Sequence, residues 1–283
     1  MRLAGARLLD ERDYPSIRAA LAEDPVGSCM VSARVEAAGV DPLRLGGELW
    51  TPDGRGARSG ALRGLCFVGP NMIPLRGDAS AMRSFADRAA RRPRSCSSIV
   101  GPATQVHRLW EELAGSWGTP RELRPEQPLL ALDAPPEGQI DHRVRRVESY
   151  ELDRYYPAAV AMFTEEVGVD PRLGDGGVSY RARVAELIAA GRAFARFEGG
   201  EVVFKAEIGA MSATVGQIQG VWVRPDRRGM GMGAAGTAAV VSRLVNGLGR
   251  TASLYVNSFN TPALAAYRKI GFTRVGEFAT VLF

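Results

Sequence analysis

Histidine is almost missing from this chain: among 283 residues only His107 and His142 occur. The three cysteines, Cys29, Cys66 and Cys96, all fall in the first half and in no metal-ligand spacing. A zinc or other transition-metal centre is therefore not expected. The odd cysteine count fits no disulfide framework and points to reduced thiols in a cytoplasmic protein. No run of about 18 apolar residues is present, so no membrane span is expected, and no secretory leader pattern opens the sequence. Lysine is equally scarce. Lys205 and Lys269 stand alone, and the other 34 of the 36 basic residues are arginine. Arginine in place of lysine, beside abundant alanine and glycine, reflects a GC-rich genome rather than a function. The net charge is +5, but the arginines are dispersed. Their densest cluster, Arg88, Arg91, Arg92 and Arg94, closes a predicted helix and complements its dipole. With no recognised nucleic-acid motif, a nucleic-acid partner is not expected.

What the chain does have is a glycine-rich loop at a strand–helix junction. A β-rich run, Ile218 to Val223, is cut by Pro225 and followed by Arg227-Arg228-Gly229-Met230-Gly231-Met232-Gly233. Such a junction presents several backbone N–H groups at a helix N-terminus, which suits a pyrophosphate. Glycines at 229, 231 and 233 let the backbone approach an anion with no Cβ in the way, and Arg228 adds a charge-assisted donor. The spacing is too short for the dinucleotide fingerprint G-x-G-x-x-G, and no Gly-Lys-Ser/Thr follows. The simpler alternative is a tight turn before a well-packed helix.

The helix after the loop carries Val240, Val241, Leu244, Val245 and Leu248 on one face, with Gly249 as its stop. Ala252, Leu254 and Val256 then alternate with polar residues as a strand. Strand, helix and strand in this order form a parallel crossover, whose ligands bind beyond the carboxyl ends of the strands. The apolar alternation slips between Ile218 and Val221, across Gly220, which predicts a β-bulge. Next comes Asn260-Thr-Pro-Ala263-Leu-Ala-Ala-Tyr267-Arg-Lys-Ile-Gly271-Phe272. Asn260 before Pro262 reads as an N-cap. Tyr267, two helical turns on, shares its face and on a structural reading is a core tyrosine.

Arg228-x-x-Gly231-x-Gly233 resembles the acetyl-CoA pyrophosphate loop of the GCN5-related N-acetyltransferase (GNAT) superfamily. The second segment looks like that superfamily's N-x-x-A-x-x-x-Y-x-x-x-G-F hallmark, with 26 residues between the two. The resemblance covers about residues 143 to 283. It implies acetyl-CoA as co-substrate, contacted by Val221, Trp222, Val223, Arg228, Gly229, Met230, Gly231, Met232, Gly233, Asn257, Asn260 and Tyr267. The strand carrying Val221 and Val223 would splay from its parallel neighbour to admit the acyl-pantetheine arm. Tyr267 would be the general acid for the departing thiolate: a tyrosine of pKa about 10 keeps its proton at neutral pH, and a thiolate of pKa about 8.5 can accept it. The acceptor amine must lose a proton, and with no histidine beyond His142 a carboxylate is considered. Glu207, mid-strand, is the candidate base, against a reading as a solvated outer-face residue. Glu165, Glu166 and the Phe283 carboxylate are weaker candidates, and Gln217 and Gln219 can only order a water.

The front of this half reads as helices over Asp153–Glu166 and Tyr180–Ala190 and a hairpin, Arg192–Phe197 with Glu201–Met211. The first half repeats a similar order. Tyr14–Ala22, Ala79–Ala90 and Thr104–Leu113 read as helices. Residues 47–51, 62–68, 97–100 and 129–132 read as strands. Its Gly69 to Gly77 stretch stands where the glycine loop would, with the wrong spacing and two prolines. His107 lies on a helix with no motif partner and reads as structural. The break falls at Asp133 to Gly138.

The expected fold class is therefore α/β with a mixed sheet: a GNAT acetyltransferase domain at 139–283 and a degenerate GNAT-like domain at 1–138. The whole chain resembles two-domain GNAT proteins of actinobacteria, and its tandem arrangement is also similar to that of mycothiol synthase. The expected activity is acetyl transfer from acetyl-CoA to a primary amine of a small molecule, peptide or protein, without metal. The alternative is a non-catalytic acyl-CoA sensor or interaction protein. A homodimer is left open.

Overall fold

A computed structural model describes residues 5–53 and 61–283, which divide into two compact units. The first comprises the described residues up to 129 with residues 255–259 and 274–283, and the second residues 130–254 and 260–273. The chain begins with β1 (Ala6–Leu8), α1 (Tyr14–Ala22), α2 (Cys29–Ala38) and α3 (Pro42–Leu45). β2 (Glu48–Pro52), β3 (Leu65–Val68) and β4 (Asn71–Arg76) follow, then α4 (Ala79–Ala90), β5 (Ser98–Pro102), α5 (Ala103–Trp117) and β6 (Glu122–Leu132). The second pass has the same order but for a counterpart of α3: β7 (Arg145–Arg146), α6 (Leu152–Val167), α7 (Val178–Ala189), β8 (Ala193–Glu198), β9 (Glu201–Met211) and β10 (Val215–Val223). It ends with α8 (Met232–Leu248), β11 (Thr251–Tyr255), α9 (Thr261–Lys269) and β12 (Thr273–Leu282).

In the first unit the strands lie in the order β1-β2-β3-β4-β5-β12-β6. β12 comes from the far end of the sequence and pairs antiparallel with β5, Phe278 opposite Pro102 and Leu282 opposite Ser98. Its Phe278, Ala279 and Val281 are almost fully buried there. β4 is a strand that the two prolines of the Gly69–Gly77 stretch argue against. Pro74 stands opposite Cys66 of β3, next to a register irregularity, and on its other edge it lies beyond the parallel pairing with β5, which covers only Asn71 and Met72. The first unit's strand-to-helix junction is consequently Gly77-Asp78, not the whole stretch. Asp78 caps α4, its carboxylate accepting the Ala81 N–H at 2.8 Å. α2, unread in the sequence, buries Cys29, Val31, Ser32 and Val35. Its Ser32 hydroxyl bonds to that of Ser28 at 3.1 Å, a polar pair inside the apolar face that hides the helical period. His107 is exposed and shares a hydrogen bond with the Pro125 carbonyl.

In the second unit the order is β11-β10-β9-β8-β7. β9 is buried on both faces from Val202 to Ile208. Tyr155, Ala158, Ala159 and Met162 of α6 form a cluster with Ala193, Ala195 and Trp222 of the strands. The helices and the hairpin fall within a residue or two of their expected positions. Among the described residues no helix is long and apolar enough to cross a membrane.

Candidate functional site

The strand feeding the glycine loop is irregular in two ways. β10 pairs in parallel with β11 only through Val215, Gly216 and Gln217, opposite Thr251, Ala252 and Ser253. Beyond Gln217 it carries on without that partner to Val223. On its other edge the antiparallel register with β9 jumps between Gln219, opposite Glu207, and Trp222, opposite Lys205. The extra residues form the bulge expected at Gly220, which has a φ of 57°. A β-carbon there would stand 2.9 Å from Met162 Cε and 3.1 Å from Lys205 Nζ, so both backbone conformation and space call for glycine.

After Val223 a short 3-10 turn, Pro225–Arg227, leads into α8. The N-cap of α8 is Gly231, with a φ of 78° and no side-chain cap. The backbone N–H groups from Gly229 to Ala234 donate to no acceptor among the described residues; the first bond of the helix is Ala235 N–H to Gly231 O, at 3.1 Å. β-carbons built at Gly229 and Gly231 meet nothing within 4 Å, so the loop is open to approach. Six successive unpaired donors at a helix N-terminus make a concentrated positive potential. A cleft of about 400 Å³ opens against the loop, lined in part by Met230, Gly231, Met232, Arg196, Arg227 and Lys269. Gly233 is the second residue of α8.

Arg228 does not extend freely from the loop. Its Nε donates to the Val223 carbonyl at 2.9 Å and its Nη2 pairs with Glu165 Oε2 at 2.6 Å. The other oxygen of Glu165 accepts the Trp222 indole N–H at 3.1 Å. Glu165 at the end of α6 thus ties the splayed strand to the loop. Val221 and Val223 are half-buried, while Trp222 is buried. Asn260 caps α9, its Oδ1 accepting the Ala263 N–H at 3.2 Å. Asn257 belongs to the first unit, where its Oδ1 accepts from Gln127 Nε2 at 2.8 Å.

Tyr267 is buried, its ring 5.9 Å from that of Phe272 at a steep angle. Its hydroxyl makes no hydrogen bond among the described residues. Burial, and then the charge of Glu166, push its pKa above the ordinary tyrosine value. Glu207 is not on a solvated face but only 4% exposed. Its Oε1 accepts both the Lys205 ammonium, at 2.8 Å, and the Tyr155 hydroxyl, at 2.9 Å. Burial raises the Glu207 pKa, but the Lys205 charge and the two hydrogen bonds outweigh it and hold the carboxyl below its usual range. The same interactions act in reverse on Tyr155, whose pKa burial and the Glu207 charge push well up. Lys205 is fully buried, and it also donates to the Gly220 carbonyl at 3.1 Å.

Lys205 and Tyr155 are the residues sequence reasoning missed. One signal for the lysine was available: β9 reads Val-Val-Phe-Lys-Ala-Glu-Ile, and a lysine and a glutamate two apart in an apolar strand share one face.

Residues 204–281 match the family model described as FR47-like protein, and residues 47–155 match a domain of unknown function, DUF4081. Over 70 residues the chain is 43% identical to a mycothiol acetyltransferase of Cellulomonas flavigena, covering 25% of this chain and 20% of that protein. Over 60 residues it is 40% identical to a mycothiol acetyltransferase of an Arthrobacter strain, covering 21% and 19%. The chain thus spans about a fifth of the length of these curated relatives. Among solved structures, a Drosophila protein is similar in fold over 99% of both chains, with a TM-score of 0.68 and 14% identity. A tandem GNAT protein from the clavulanic acid biosynthesis pathway is similar over 98% of both, with a TM-score of 0.51 and 15% identity. At such identities the likeness speaks for the fold. The fold is thus similar to that of tandem GNAT proteins, and residues 204–281 match the FR47-like family model.

Proposed function

We propose that this protein is an acetyl-CoA-dependent N-acetyltransferase that passes the acetyl group directly to a primary amine of a small molecule, peptide or protein. The observation that carries the reading is the run of unpaired N–H groups from Gly229 to Ala234, set directly after a strand that leaves its parallel partner. The first feature suits a pyrophosphate and the second an extended acyl arm lying against Val221 and Val223. Arg228 supports the loop through Val223 and Glu165 and adds positive charge beside it. Asn260 keeps its amide N–H groups for the arm while its oxygen caps α9.

In the reaction the neutral amine attacks the thioester carbonyl, the C–S bond breaks, and the sulfur leaves as a thiolate that needs a proton or a strong hydrogen bond. Tyr267 holds its proton throughout the neutral range and serves as that donor. Glu207 stays ionised at neutral pH, which makes it a weak proton acceptor but a strong hydrogen-bond acceptor. We assign it the orienting of the attacking N–H, or of a water that carries the proton to solvent.

The test is free-thiol release from acetyl-CoA against a panel of amines, amino acids, peptides and aminoglycosides. The likeness to mycothiol acetyltransferases puts mycothiol-related amines early in the panel. Turnover that disappears in Tyr267→Phe supports the reading. Tight acetyl-CoA binding with no turnover on any acceptor favours an acyl-CoA sensor instead.

A further inference from the structure

Beneath the bulge of β10 lies a buried polar group of three side chains. Lys205 and Glu207 project from one face of β9 and Tyr155 comes from α6. Lys205 is fully buried, Tyr155 likewise, and Glu207 nearly so. A buried ion pair gains little net stability over an apolar pair of the same size, because desolvation of two charges offsets their attraction. The worth of this pair therefore lies in what it holds. Lys205 holds two things at once: Glu207 Oε1 at 2.8 Å and the carbonyl of Gly220 at 3.1 Å. That carbonyl belongs to the residue at which β10 leaves register with β9. A strand that has lost its parallel neighbour after Gln217 has few other restraints at this point.

The carboxylate is held asymmetrically. Oε1 takes both donors, Lys205 and Tyr155, whereas Oε2 makes no hydrogen bond among the described residues. Oε2 lies 3.5 Å from where a β-carbon at Gly220 would stand, so the free oxygen sits at the bulge. The ammonium is also 5.5 Å from the centre of the Tyr155 ring, within range of a favourable cation–π contact that further restrains it.

We propose that Lys205 is the positioning residue of the acyl site, its ammonium clamping the Gly220 carbonyl to Glu207 and so fixing both the opening of β10 and the free oxygen of Glu207 beside it. The proposal rests on the acetyl-CoA reading above and deepens it. Lys205 touches no reacting atom; it acts through the bulge and the carboxylate. The acyl arm then depends on Lys205, while the pyrophosphate, held by the loop after Val223, does not.

That difference gives the test. Binding of acetyl-CoA and of ADP, which carries the pyrophosphate without the arm, is measured by calorimetry on the full chain. The variants are Lys205→Met, Lys205→Arg and the charge-neutral pair Lys205→Met/Glu207→Gln, which strands no buried charge and keeps the protein folded if the single change does not. In the neutral pair the affinity for acetyl-CoA falls about tenfold, the scale of one lost charged hydrogen bond, while that for ADP is unchanged. Lys205→Arg, which keeps the charge and a donor toward Gly220, recovers part of the loss. A general loss of structure would lower both affinities together, so an equal fall in both, or no fall in either, overturns the proposal. If the unaltered protein binds neither acetyl-CoA nor ADP, the reading of the loop fails instead, and with it the premise.

Discussion

Tyr267 stays uncharged because burial and the nearby charge of Glu166 both oppose ionisation. Replacing it with phenylalanine removes only the hydroxyl, which has no protein partner to strand. Turnover should fall on the order of 10²-fold while acetyl-CoA affinity holds, the usual scale for lost acid catalysis. Because its pKa is raised, Tyr267 remains protonated through the neutral range, and any alkaline fall in kcat due to it should begin only above about pH 10. A limb near neutrality that Tyr267→Phe abolishes would contradict the assignment. Glu207 behaves oppositely. Removing its charge alone leaves the Lys205 ammonium buried without a counter-ion, so Glu207→Gln should cost about 3–5 kcal/mol in urea unfolding, and adding Lys205→Met should return most of it. The folded-state pKa of Glu207 lies below its ordinary value, so its contribution is fully present above about pH 4.3 and is lost as the pH falls through the folded-state value. The stability gap between the native protein and the neutral double variant should therefore narrow below about pH 4.

At the scale of elements, the two units carry the same strand–helix junction in two chemistries. α4 begins at Asp78, whose carboxylate occupies an N-terminal donor and brings a negative charge. α8 begins at Gly231, with its donors open. The first suits a structural helix and repels a pyrophosphate; the second leaves its donors free, as the proposed pyrophosphate site requires. Gly231→Asp should weaken acetyl-CoA binding at least tenfold through the added charge and the positive φ, read by calorimetry. Asp78→Ala should cost about 1 kcal/mol of stability and leave acetyl-CoA binding unchanged. The α8 junction was visible in the sequence because glycine spacing and a proline are local signals. The α4 junction was obscured because β4 hides behind two prolines, and only its pairing places Pro74 next to a register irregularity with β3 and beyond the last pair with β5.

At the scale of the whole molecule, the ten elements of the second half all have counterparts in the first, which adds α3, yet the last strand of the second repeat packs in the first unit. β12 buries Phe278 there among Leu49, Phe67, Val100 and Leu129. Phe278→Ala should cost about 3–5 kcal/mol. The lost hydrogen-exchange protection should appear in β3 and β5 of the first unit rather than in β8 and β9. Protection lost first in β8 and β9 would mean that β12 does not support the first unit.

Short-range chemistry was readable without coordinates: the glycine loop, the amphipathic period of α8, the Asn260 cap and the bulge signalled by the slip at Gly220 all arise from residues close in sequence. The likeness to the GNAT superfamily rested on those same local patterns. Pairing between distant segments was not readable. Lys205 meets Gly220 across a register shift and Tyr155 across a helix–sheet interface, and β12 finds β5 across most of the chain's length. Those contacts have no period or motif. Burial and hydrogen-bond satisfaction in the folded molecule select them, and they place Glu207, the candidate base of the sequence, as a carboxylate held by a buried lysine.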